Sequence, residues 1–263
     1  MQVWSLPAAQ TLYSNLQLQS SRATLELGVG HGASLPLLCA LLPPSARYVA
    51  TDVDPSVVAT AEDRAAALGL SSRVEFAVAD AARLGEDAQH ADGSYDRIAA
   101  NFLLHLLPDP AAALAEAHRV LAPGGIAAFS LWGAKKDSLM YTLQGKVLRK
   151  LGAEAQPTHP NFRLGADEAA LRGLFAAAGF RRVVLWHQPS VLPALDGGSF
   201  VRERLEEGDA AHVALVERSL ATVLEDVDLT VPQFKKALRA TAEGVLARGG
   251  PLALDTIIVI ATK

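Results

Sequence analysis

The sequence predicts a doubly wound α/β fold. Two features carry that prediction. Short apolar runs alternate with helix-length segments through the first half of the 263 residues. The first apolar run also ends in a glycine-rich turn that opens directly into a helical segment. A helix is predicted over 6–18. The run 23–27 is a buried strand ending in glycines. Residues 33–42 form a short helix despite Pro36, and Pro43 and Pro44 stop it. Residues 47–53 are a second strand, and Asp54 caps a helix over 55–68 that opens on Pro55. A third strand spans 73–79 and a fourth 95–101. Asp109 and Pro110 start a helix ending near Leu121. Pro123, Gly124 and Gly125 then turn the chain into a fifth strand over 126–132.

The second half is less regular. A helix is predicted over 137–151, followed by a loop holding Pro157, Thr158, His159 and Pro160. Asp167 caps a helix that ends at Gly179, and 181–187 is a strand. Residues 200–250 read as two or more helices, with Thr230 and Gln233 placed as a capping box for the last. A final strand spans 252–262. The stretch 200–250 is too long for an ordinary turn between strands and is read as a helical insertion. The whole is expected to be one domain. A ligand-binding core spans 20–132, and helical segments over 133–165 and 197–250 cover the substrate.

Bulk properties narrow the classes. Half the residues are hydrophobic and a fifth charged, with a net charge of -4. An acidic balance argues against a nucleic-acid partner, whose phosphates select a basic face. Cys39 is the sole cysteine, so no intrachain disulfide forms. Its neighbours from Leu35 to Leu42 mark it as a small buried hydrophobe. The N-terminal residues show no signal-peptide pattern and no run reaches membrane-spanning length, so a cytoplasmic location is expected. The seven histidines show no pair at ligand spacing, and no metal is expected.

The chemistry lies at the strand ends. In Glu26-Leu27-Gly28-Val29-Gly30-His31-Gly32, the missing Cβ atoms let a ligand lie on the backbone, and the helix start beyond offers free N–H groups. Taken alone, the turn also fits a dinucleotide fingerprint, with Ala33 in its third place. Asp52 closes the second strand, where a carboxylate accepts from ribose hydroxyls in either case. Asp80 closes the third strand, placed for an adenine amine or for capping the next segment. Glu26 decides between the cofactors. A pyrophosphate is repelled by a carboxylate in the turn, and a sulfonium with a nearby ammonium is not. Glu26, Asp52 and Asp80 together favour S-adenosylmethionine over a nicotinamide dinucleotide.

Four segments carry a family resemblance: residues 26–32, 50–55, 78–81, and 95–106 with 119–125. Together they resemble the class I S-adenosylmethionine-dependent methyltransferases. Within these they resemble the small-molecule group (methyltransferase types 11 and 25) that includes quinone-biosynthesis enzymes. Phe175 to Phe180 resembles the family's later helix end. The resemblance implies a Rossmann-like seven-stranded sheet with its last strand antiparallel. By residue, it implies that Gly28, Gly30 and Gly32 line the methionine part and that Glu26 reaches its amino group. It also implies that Asp52 holds the ribose, Val53 presses on the adenine, Asp80 and Ala81 bind its edge, and Asn101 faces the methionine moiety. His31 departs from the family's usual small residue.

Methyl transfer is a direct displacement, so alignment supplies much of the rate and no nucleophilic side chain is required. A general base helps hydroxyl or ammonium acceptors. His105, four residues past the fourth strand, is the candidate base, against packing among Leu103, Leu104 and Leu106. Tyr141 and His159 fall in the expected cover, and Trp4 and Tyr13 near the N-terminus are placed to close over the cofactor or to dock their helix. Lys135 and Lys136 read as a solvated loop, and His118 reads as solvent-facing. After the fourth strand, Asn101-Phe102-Leu103-Leu104 lacks the prolines of the methyltransferases that modify exocyclic amines of nucleic acids. A small, partly apolar acceptor methylated at oxygen, nitrogen or carbon is expected. The rival readings are a non-catalytic S-adenosylmethionine binder and an NAD-dependent oxidoreductase. The latter lacks a convincing Tyr-x-x-x-Lys pair.

Overall fold

A computed structural model describes residues 5–86, 90–154, 158–207, 210–225 and 227–263, with backbone alone at 86 and 210–212. Trp4 and Pro157 lie outside the described residues. Seven strands form one sheet: β1 (Ala23–Leu27), β2 (Arg47–Asp52), β3 (Glu75–Val78), β4 (Tyr95–Asn101), β5 (Leu121–Trp132), β6 (Arg182–Val191) and β7 (Ala253–Thr262). Their order is β3-β2-β1-β4-β5-β7-β6. β1 to β5 pair in parallel, and β7 runs antiparallel to β5. The helices are α1 (Leu6–Asn15), α2 (Leu35–Leu41), α3 (Pro55–Ala67), α4 (Pro110–Val120), α5 (Leu139–Lys150), α6 (Glu168–Ala177), α7 (Gly197–Leu205), α8 (Ala210–Glu225) and α9 (Val231–Leu246).

The chain divides into two compact units. One comprises Met1–Gly133, Asn161–Gln188 and Thr256–Lys263. Its strands alternate by the two-residue period of a pleated sheet. Leu25, Leu27, Ile98, Ala100, Ala127, Phe129 and Leu131 point to one face. There they pack on Ala113, Leu114 and Ala117 of α4 and on Leu171 and Phe175 of α6. Glu26, Asn101 and Ser130 alternate to the opposite face, where α1 lies against β4 and β5. The caps follow their chemistry. The carboxylates of Asp54, Asp109 and Asp167 accept from Ser56, Ala112 and Ala170 N–H groups at the starts of α3, α4 and α6.

The second unit comprises Ala134–Pro160 and Pro189–Asp255. It therefore unites the two segments expected to cover the substrate. α9 buries Phe234, Leu238, Ala242 and Val245 on one stripe, and α5 buries Met140, Leu143, Val147 and Leu148. Thr230 and Gln233 cap α9 reciprocally, and Asp196 and Ser199 do the same for α7. The Arg204 guanidinium stacks 4.4 Å over the Tyr141 ring. Lys135 Nζ donates to Thr158 Oγ1 at 2.6 Å.

The structure corrects several sequence expectations. The Pro123-Gly124-Gly125 turn lies inside β5: pairing runs from Tyr95–Leu121 to Arg97–Ile126, so the intervening residues bulge out of the ladder. The predicted third strand starts too early, because Arg73 sits in a single 3₁₀ turn. Its guanidinium there donates to the carbonyls of Cys39, Leu42 and Pro43. The N-terminal helix stops at Asn15, because Gln17 takes a left-handed backbone. His118 is half-buried rather than fully solvent-facing. Its ring packs edge-on to Phe180, 5.2 Å between centroids, and burial lowers its pKa. Cys39 is buried, and the same burial raises its thiol pKa.

Candidate cofactor site

In the sheet, β1 lies between β2 and β4, so the chain's direction of winding reverses between β1 and β4. A crevice outside the carboxyl ends of the strands forms at such a point. A cleft of about 980 Å³ opens there. It is lined by the ends of β1, β2 and β4 and the loop after β3, with Leu6 of α1 and the preceding Ser5 at its edge.

The glycine turn is held by the neighbouring strand. Val29 N–H donates to Thr51 O at 2.8 Å, and Gly30 N–H donates to the Asp52 carboxylate at 3.1 Å. Asp52 thus shapes the turn as well as facing the cleft. The glycines have separate jobs. Gly30 has φ +54 and nothing within 4 Å of where a Cβ would stand, so its backbone is bare to the cleft. A Cβ on Gly32 would fall 2.6 Å from Leu35 and 3.3 Å from Ala61. Gly32 is a packing glycine and is not among the cleft-lining residues, whereas Gly28, Val29, Gly30 and His31 are. At Gly28 a Cβ would meet Leu103 at 2.9 Å, so that side chain lies directly against the turn.

Glu26 is 2% exposed and is enclosed by three hydroxyls. Tyr13 of α1 donates to Oε1 at 2.6 Å and Ser34 donates to the same oxygen at 2.9 Å. Tyr48 of β2 donates to Oε2. Burial raises the Glu26 pKa, and the three donors oppose that by favouring the ionised form. Burial and the carboxylate beside them push the phenols of Tyr13 and Tyr48 well up. The carboxylate expected to meet an ammonium thus already holds a set of donors, while still reaching the cleft wall. The placement of Tyr48 follows from register. It pairs with Thr24, on the same face as Glu26 two residues on.

Asp52, Val53, Asp80 and Ala81 come together on the β2–β3 side of the cleft. Val53 is 65% exposed, a large apolar surface without protein cover. Asp80 accepts from Ala82 N–H at 2.9 Å and lies 3.4 Å from Arg83 Nε, so it orders its own loop as well. Asn101 stands at the end of β4. Its Nδ2 donates to Ser5 O at 3.3 Å, and its Oδ1 accepts from Ser130 Oγ at 2.7 Å.

His105 is not among the cleft-lining residues. It sits in a 3₁₀ turn, with its ring 5.8 Å from Trp132 and 6.1 Å, edge-on, from Phe102. The lining residues that sequence reasoning passed over include Arg64, Ser34, Phe102 and the run Leu106, Leu107 and Pro108. Arg64 had a readable signal: it follows buried Ala61 by three positions on α3, hence lies on the same helix face. The others depend on how the loop after β4 folds back. Among the described residues, no group of three or more His, Cys, Asp or Glu is placed to hold a metal ion, and no helix is long and apolar enough to cross a membrane.

Bare backbone at Gly30 and carboxylates at the ends of β2 and β3 suit a ribose-bearing cation without phosphate. Comparison with known proteins agrees. Residues 25–129 match the methyltransferase domain family. The chain is 31% identical over 201 residues to the release factor glutamine methyltransferase of Cereibacter sphaeroides, covering 76% of this chain and 63% of that enzyme, less than two thirds of its length. It is 30% identical over 205 residues to the methyltransferase ucsB of an Acremonium species, covering 73% of this chain and 67% of that protein. It is 26% identical to the ubiquinone/menaquinone biosynthesis C-methyltransferase UbiE of Pseudomonas putida, covering 69% of this chain and 73% of that one. The fold matches the YcgJ protein of Bacillus subtilis at TM-score 0.58 and 16% identity, over 98% of both chains. It also matches the Haemonchus contortus phosphoethanolamine N-methyltransferase 2 in complex with S-adenosyl-L-methionine. There the TM-score is 0.57 and the identity 14%, over 98% of this chain and 52% of that one. The chain belongs to the class I S-adenosylmethionine-dependent methyltransferases.

Proposed function

We propose that this methyltransferase acts on a small, largely apolar molecule, at an oxygen, nitrogen or carbon atom, by direct displacement. The observation that carries the reading is the division of the cleft. Its β2–β3 side is polar, with Asp52 and Asp80. The segment after β4 supplies an apolar wall of Phe102, Leu103, Leu106, Leu107 and Pro108. Such a wall favours apolar over charged acceptors, because an unpaired charge buried there goes unsolvated. The cofactor supplies an electrophilic methyl group on a sulfonium. Asp52 would hold the ribose, Val53 would cover the adenine, and Asp80 and Ala81 would meet its edge. The turn with Gly28, Gly30 and His31 would pass beside the amino-acid part, facing Asn101. Glu26 would act through Tyr13, Tyr48 and Ser34, holding turn and strand together. The chain's task is to align and desolvate the acceptor.

His105 follows the end of β4 by four residues, but its packing against Phe102 and Trp132 supports a structural part. The reading therefore does not require a side-chain base. Incubation with methyl-labelled S-adenosylmethionine and metabolite pools fractionated by polarity tests it. Label should appear in an organic-extractable small molecule. Label confined to protein, to nucleic acid or to the most polar fraction refutes it. Tight cofactor binding with no transfer to any pool would favour the non-catalytic binder.

A further inference from the structure

We infer that Ser130 is a positioning residue that sets the hydrogen-bonding polarity of Asn101 toward the cofactor; this rests on the reading that Asn101 faces the methionine part. Ser130 lies on β5 directly across from Asn101 on β4. It is 0% exposed, so it touches no ligand itself. Its Oγ accepts from Phe102 N–H at 2.8 Å and its hydroxyl donates to Asn101 Oδ1 at 2.7 Å. With Oδ1 engaged on the β5 side, the amide presents N–H donors on the other. There Nδ2 meets a backbone acceptor, the carbonyl of Ser5, at 3.3 Å. A flipped amide would set Oδ1 against the Ser5 carbonyl and Nδ2, a donor, where the Ser130 hydroxyl now donates. The first contact is repulsive and the second takes from the Ser130 hydroxyl the acceptor it now has, so the network favours the observed orientation.

The same hydroxyl holds the turn that follows. Phe102 has φ +56, a left-handed backbone that non-glycine residues rarely adopt. Its N–H also reaches the Ser130 carbonyl at 3.1 Å. The strand therefore ends abruptly after Asn101, and the cleft wall begins at once with Phe102. A donor-only face at Asn101 selects an acceptor on the ligand. In S-adenosylmethionine the methionine carboxylate is such a group, and the ammonium is not.

Calorimetry with two ligands separates this from general scaffolding. S-adenosylhomocysteine carries the amino-acid part; 5′-methylthioadenosine lacks it. Ser130→Ala should weaken S-adenosylhomocysteine roughly ten-fold, the scale of one hydrogen bond to a charged group, and leave 5′-methylthioadenosine within about two-fold. Ser130→Thr, which keeps the hydroxyl, should recover most of the loss. Asn101→Asp, which leaves Ser130 in place but turns an acceptor to the cleft, should also weaken S-adenosylhomocysteine alone. This arm decides the matter if Ser130→Ala does not fold. Equal losses for both ligands, or no loss for either, overturn the inference. Failure of the unaltered protein to bind either ligand would instead overturn the placement of the cofactor in this cleft.

Discussion

Tyr13→Phe isolates what the N-terminal helix contributes to the cofactor turn. The substitution deletes one oxygen, which donates at 2.6 Å to Glu26 Oε1 in a pocket where Tyr13 is 1% and Glu26 2% exposed. Water does not replace the donor there. A hydrogen bond to a charged group contributes about 1.5–3 kcal/mol. Ser34 stays on the same oxygen and Tyr48 on the other, so the carboxylate keeps two donors. The expected cost is therefore at the lower end, about 1.5–2 kcal/mol at pH 7. At roughly 2–4 °C per kcal/mol for a chain of this size, Tm falls by about 3–8 °C. The cost also depends on pH. Tyr13 favours the ionised carboxylate, so its loss raises the Glu26 pKa further. A carboxyl whose folded pKa is raised contributes stability fully present below its unfolded pKa, and that contribution is lost as pH rises through the folded value. In the variant that loss runs to a higher pH and is larger. The gap between the two proteins should therefore widen from pH 4 to pH 7 in urea denaturation. A gap under about 0.5 kcal/mol at pH 7, or one that narrows as pH rises, refutes a buried, ionised Glu26 held by Tyr13.

Asp52→Ala removes the carboxylate that would face the ribose and should weaken S-adenosylhomocysteine roughly 100-fold, the scale of two charge-assisted hydrogen bonds, with circular dichroism unchanged. Gly32→Ala should cost about 1–3 kcal/mol of stability in denaturant, because its Cβ meets Leu35 at 2.6 Å on a left-handed backbone. Gly30→Ala meets no neighbour but shares the left-handed backbone, so it should cost about 1 kcal/mol of stability and, in addition, weaken cofactor affinity measured by calorimetry. His105→Gln should lower kcat by less than about ten-fold once an acceptor is in hand; a loss of about 10²- to 10⁴-fold would restore it as the general base.

The local signals were strong wherever one residue's chemistry acts within a few positions of itself. The caps at Asp54, Asp109, Asp167 and Thr230 needed only a short side chain before a helix, and each donates or accepts as its type requires. The alternation of runs and helices sufficed for the strand count through β5, and the glycine turn with Asp52 located the cleft. The failures share a cause. A proline and two glycines read locally as a turn, but the pairing of β4 with β5 outweighs that preference and carries them as a bulge. His118 reads as solvated from its helix neighbours until Phe180 arrives from 62 residues away to cover it.

At the site the division is the same. The types and order of Glu26, Asp52 and Asp80 favour a cationic nucleoside as the ligand, because charge and hydrogen-bonding capacity belong to the residue itself. What each group is engaged with depends on partners distant along the chain: Tyr13 and Tyr48 on Glu26, Ser130 on Asn101, and Phe102 and Trp132 around His105. Strand register and helix docking bring those partners into reach. Whether a carboxylate is free for a ligand, which end of an amide faces the cleft, and whether a histidine is wet or packed are therefore decided only by the tertiary structure.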